Sequence, residues 1–150
     1  MATQGTGRTI ALATLVAGTL DICSAFTYAA IAGRGPATVL RGVGGAILGK
    51  TDGGVTPALV GLTLHYAIMA VIAAVYVLAV ARKPTLRTRP LIGGIAYGLA
   101  TWAVMNLIVL PLRWPALFPK FDTVSLAEQL FSHIVLVGIP IALIARRAGR

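Results

Sequence analysis

Four long apolar stretches, separated by polar connections, set the pattern of this chain. They cover approximately residues 9–31, 57–80, 91–112 and 125–145. A helix crossing a bilayer needs about 20 such residues, so each stretch predicts one transmembrane helix. Successive spans must run in opposite directions. The expected fold is all-α: a polytopic membrane protein with four helices in an up-and-down bundle.

The connection over residues 33–56 is the longest. Within it Val39, Leu40, Val43, Ala46, Ile47 and Leu48 recur at helical spacing. This predicts a short helix lying in the membrane interface. Gly42, Gly44, Gly45 and Gly49 leave a re-entrant hairpin as the alternative, which requires protein or water around its backbone. Before the fourth span, Ser125-Leu-Ala-Glu128 reads as a capping box: Ser125 would cap the helix and Glu128 would reach back.

The halves resemble each other weakly. Gly18, Arg34, Pro36 and His65 correspond to Gly98, Arg113, Pro115 and His133. Each half holds two spans, so the relation is a parallel 2+2 duplication about an axis along the membrane normal.

Composition agrees with the spans. The chain is 57% hydrophobic and 11% charged, against about 25% charged in soluble domains. The net charge of +9 does not point to nucleic acid, because the cations sit in connections and tails rather than on a helical face beside stacking aromatics. They suit contacts with the bilayer and its anionic lipid headgroups. Arg8, Arg82, Lys83, Arg87, Arg89, Arg146, Arg147 and Arg150 fall on one side; Arg34, Arg41, Lys50, Arg113 and Lys120 fall on the other, as do Asp52, Asp122 and Glu128. The basic excess predicts that both termini are cytoplasmic. A cleaved signal peptide is the competing reading of the first span, and Asp21 in mid-span argues against it. Cys23 is the only cysteine, which excludes an internal disulfide and reads as a packing residue.

Ionisable groups inside a membrane are costly and mark functional candidates. His65 and His133, the only histidines, each fall about 12 Å from the outer end of their spans at 1.5 Å per residue. Asp21 lies about 15 Å in and Asn106 about 9 Å in by the same measure. The four residues come from four helices and share one half of the membrane. Gln129 lies one turn outward of His133, Ser24 and Tyr28 follow Asp21, and Tyr76 lies three turns inward of His65. Gly61 and Ala58 leave room above His65, either for a ligand or for a closely packed helix. Asn106 and Gln129 are also expected as hydrogen-bonding glue between helices. Arg34, Arg41 and Arg113 form an outer basic mouth able to attract anions.

Three functions fit these groups. The leading one is binding or translocation of a proton, ion or small solute through Asp21, His65, His133 and Asn106, in a homo-oligomer or as a subunit of a larger complex. The second is a b-type haem with His65 and His133 as axial ligands, with Gly18 and Gly94 or Gly98 beside the ring; a divalent metal on Asp21 and both histidines is a variant. The third is a structural accessory subunit. No hydrolase or phosphate-binding motif is present.

The stretch from residue 55 to 147 also resembles a known group. His65 with Tyr76, the basic connection, Gly93, Gly94 and Gly98, then Asn106, Pro111-Leu112, Phe118, Glu128, His133 and Ile144-Ala-Arg-Arg147 resemble the YagU-like small bacterial inner-membrane proteins, which carry a domain of unknown function. The resemblance implies a bacterial inner-membrane location and a shared pattern containing both histidines. It implies no activity. The long outer segment of that group has no counterpart in the first half.

Overall fold

In a computed structural model the chain is helical throughout, with no strand among the described residues, which are 2–49 and 53–147, with side chains from Gly5 onward. Lys50, Asp52 and Arg150 lie outside them. Six helices follow in order: α1 (Ala2–Ile31), α2 (Pro36–Leu48), α3 (Thr56–Arg82), α4 (Pro84–Thr88), α5 (Pro90–Arg113) and α6 (Thr123–Ala145). Four of these, α1, α3, α5 and α6, are long and apolar enough to cross a membrane. The bundle therefore has a near end, with the start of α1, the end of α6 and α4, and a far end, with α2 and the 114–122 connection.

Small residues set the packing. On α1 the buried face is Ala13, Thr14, Ala17 and Gly18, followed one turn on by Asp21. On α3 it is Gly61, His65, Met69, Ala73, Tyr76 and Val77. His65 thus falls on the α3 stripe that meets α1. The contact between α5 and α6 is backbone to backbone. A Cβ on Gly98 would strike the His133 carbonyl, and one on Gly138 would strike the Gly94 carbonyl. Such close approach is how membrane helices gain packing when lipid is as apolar as they are.

Helix α1 packs on α3 and on α6, and α5 packs on α6, but α3 and α5 scarcely touch. They are tied near the near end by the Tyr97 hydroxyl, which donates to the Ile72 carbonyl at 2.6 Å, and by the Tyr76–Tyr97 ring contact at 4.9 Å. Beyond that tie the two helices stand apart as a cleft.

Two stretches widen from α- to π-helical hydrogen bonding, Met105–Val109 in α5 and Ser132–Gly138 in α6. Pro111 and Pro140 each follow two residues after. A proline removes one backbone donor and crowds the carbonyl a turn earlier, which gives both helices the same cause for loosening. The next donors reach five residues back, Leu110 N–H to Met105 O and Ile139 N–H to Ile134 O.

The helix expected in the first connection forms as α2, and it is packed onto α3. Gly44 meets Pro57 and Gly61, and Gly61 meets the Leu40 carbonyl. The room that Gly61 leaves above His65 is therefore occupied by a helix and is not free for a ligand. At the start of α6 the structure corrects the expected capping box. The helix begins at Thr123, and its cap is Asp122, whose Oδ1 accepts from the Ser125 N–H at 2.9 Å.

Candidate functional site

Three of the expected residues meet. Asp21 on α1, His65 on α3 and His133 on α6 line one cavity of about 180 Å³. The His65 Nδ1 lies 4.0 Å from Asp21 Oδ2. The other ring nitrogen, Nε2, stands 2.9 Å from the Gly18 carbonyl. A carbonyl only accepts, so Nε2 carries a hydrogen and donates it. In a neutral ring Nδ1 is then a bare lone pair facing a carboxyl oxygen. That arrangement is favourable only when a proton resides on Nδ1 or on Asp21. The same reasoning fixes His133: its Nδ1 lies 2.8 Å from the Gln129 carbonyl and donates to it, which leaves Nε2 for the cavity side.

The local sequence explains these positions. Gly18 has no side chain, so Tyr66 lies across it; a Cβ there would come within 2.8 Å of the ring. Tyr66 then bonds Thr19 at 2.8 Å and stacks edge-on against His65 at 5.3 Å. His133 sits in the π-helical stretch of α6, with its carbonyl against Gly98. Asn106 sits in the π-helical stretch of α5 and donates to the Trp102 carbonyl at 3.2 Å. Such stretches recur at functional sites because they re-aim side chains.

Asp21 and His133 also line a second cavity, of about 310 Å³, which is more polar. It extends to Arg34, Lys120 and Glu128 at the far end, past Ser24, Ser132 and Tyr28. Ser24 and Ser132 join hydroxyl to hydroxyl at 2.9 Å, and Ser132 donates to Tyr28 at 3.4 Å. Asn106 and Gln129 belong to this cavity, and Gln129 accepts from the Trp102 indole N–H at 3.2 Å. Asp21 and His133 thus form the wall between a polar and a largely apolar space. The Asp21 carboxylate receives no hydrogen bond among the described residues.

Other expected members sit elsewhere. Tyr76 is 2% exposed and belongs to the near-end core, with its hydroxyl against Gly93; the turn spacing from His65 placed it on the right face but at a depth where α5 fills the space. The basic mouth is divided. Arg34 lines the polar cavity, Arg41 lines neither cavity, and Arg113 caps α2. Its Nε and Nη2 donate to the Ala46 and Gly45 carbonyls at 2.8 Å each. The last carbonyls of a helix lack internal partners and carry negative potential, which a guanidinium satisfies. Sequence reasoning missed Lys120, and assigned Glu128 to a cap although it lines the polar cavity.

The residues do not fit the haem reading. His65 Nε2 is committed to a backbone carbonyl, and Gly94 and Gly98 are filled by the α6 backbone. Among the described residues no group of three His, Cys, Asp or Glu side chains stands close enough to hold a metal ion. Comparison with protein families, curated proteins and solved structures finds no match for this chain.

Proposed function

We propose that this chain binds and passes a proton, coupled to a small solute, at Asp21, His65 and His133. The carrying observation is the Asp21–His65 contact: one ring nitrogen is committed to Gly18 and the other faces the carboxyl at 4.0 Å, so a proton has two sites within one contact. Intramembrane carboxyl and imidazole chains of this kind serve as proton relays. The polar cavity supplies a route from the far end, and Asn106, Tyr28 and Gln129 supply polar contacts along it.

On this reading the protein resides in a bacterial inner membrane with both termini cytoplasmic, as the basic excess and the YagU-like resemblance support. The far end then faces outward, and Arg34 and Lys120 meet anionic headgroups. Four spans leave little protein around a complete pathway, which supports a homo-oligomer or a place in a larger complex.

Purified protein in liposomes carrying an internal pH-sensitive dye tests the reading. An imposed pH gradient should collapse faster than in empty vesicles, and Asp21→Asn should return the rate to that of empty vesicles. Asp21→Asn passing protons at the wild-type rate would overturn it.

A further inference from the structure

The apolar cavity beside Asp21 adjoins a second one. A second apolar space of about 300 Å³ lies between Val71 and Val75 of α3 and Ala100 and Val104 of α5. Ile72, Thr101 and Met105 line both spaces and are the side chains that stand between them. This is the cleft where α3 and α5 part. Its rim, Val71, Val75 and Val104, is half or more exposed on the flank that a bilayer would cover. The near-end limit is the Tyr97–Ile72 hydrogen bond, and the far-end limit is α2, held by Arg113. Under the 2+2 relation the α1–α6 contact is the counterpart of α3–α5. The first is packed and the second is open.

We infer that this cleft is a lateral entry from the lipid phase for a single-chain amphiphile with a cationic head, the chain lying between α3 and α5 and the head at Asp21. The inference rests on the proposed proton-coupled site and names its solute class. The charge of the site selects the head. Asp21 is the only acidic residue lining the apolar cavity, and no donor bonds its carboxylate among the described residues. In this cavity the carboxylate meets the His65 ring at 4.0 Å, beyond hydrogen-bonding distance, and a cationic head takes the place of the proton that the two share. The one guanidinium lining this cavity, Arg113, is spent on the α2 carbonyls, so an anionic head would meet a carboxylate with no free fixed cation. The space also suits a narrow occupant: a dry cavity of about 150 Å³ takes up benzene, and this one of about 180 Å³ shares a wall with the cleft. A head bound to Asp21 displaces the proton held there, which couples the two.

Trp114 lines the cavity and provides the readout. In a Trp102→Phe background in nanodiscs, decyltrimethylammonium is titrated below its micelle concentration and compared with decyl sulfate. The expected result is saturable Trp114 quenching by the ammonium alone, with proton release. Asp21→Asn should weaken it by about tenfold or more, as for loss of a buried charge partner. Ala100→Phe, filling the cleft on the side away from the Asp21 cavity, should abolish it while leaving Asp21-dependent proton flux. Equal binding of the sulfate, or unchanged binding in Asp21→Asn, would show a merely greasy cavity and overturn the inference. No ammonium binding with proton flux intact would overturn it and leave the proton site standing; loss of both would overturn both. A disulfide forming between two chains through Val104→Cys, in a Cys23→Ala background, would show that a second copy covers the cleft and would also overturn it.

Discussion

At the scale of single residues, the Gly18 carbonyl decides the chemistry of His65. It holds Nε2 as a donor, so Nδ1 is the only ring atom that can exchange a proton with Asp21. The structural and chemical roles of this histidine are therefore separable. His65→Gln keeps a donor for Gly18, whereas His65→Ala leaves that carbonyl bare. We expect His65→Ala to lower stability by about 1 kcal/mol more than His65→Gln, the usual size of a hydrogen bond between membrane helices, and both to lose proton flux. Thermal unfolding in detergent alongside the liposome assay checks both parts; flux retained in His65→Gln would assign His65 to packing alone. The sequence made Asp21, His65 and His133 legible because a titratable group in an apolar span has few bland explanations. It could not show that Tyr76 lies too deep or that Arg113 turns to α2. Both depend on which neighbour fills the adjacent space, and helical spacing within one span carries no such information.

At the scale of elements, one glycine and two prolines place the site. Gly98 admits the His133 carbonyl, and the prolines loosen the segments that carry Asn106 and His133. Gly98→Leu should force α5 from α6 and cost about 1–3 kcal/mol, as overpacking does, with loss of flux; a thermal midpoint equal to wild type would refute the tight contact. The start of α6 makes a separate prediction. The Ser125 N–H bonded to Asp122 holds its carboxyl below the ordinary value. A carboxyl with a lowered folded-state value stabilises above the ordinary range and loses that contribution as pH falls through the lowered one. Asp122→Ala should therefore lower the thermal midpoint at neutral pH, with the gap to wild type closing in acid. A gap independent of pH would exclude the charged cap. The four spans were legible from apolar length alone. The Asp122 cap was not, because Ser125 and Glu128 spell a capping box equally well and only the true first residue of the helix separates the two.

At the scale of the whole molecule, three helices bring one carboxyl and two imidazoles to one apolar space, with Asp21 and His133 also facing a polar one, while the fourth stands off from α3. The up-and-down order followed from chain connectivity. The open α3–α5 side did not, because both of its faces are simply apolar in sequence, whether they meet protein or lipid. The account stands or falls on a proton shared between Asp21 and His65. Nitrogen-15 magnetic resonance of the two histidines in bilayers, taken through a pH titration of wild type and Asp21→Asn, measures it directly. The account predicts that in the neutral ring the hydrogen resides on His65 Nε2, bonded to the Gly18 carbonyl, and that the Nδ1 signal differs between wild type and Asp21→Asn. A His65 whose Nδ1 signal is identical with and without Asp21, or whose hydrogen resides on Nδ1 rather than Nε2 in the neutral ring, would contradict it.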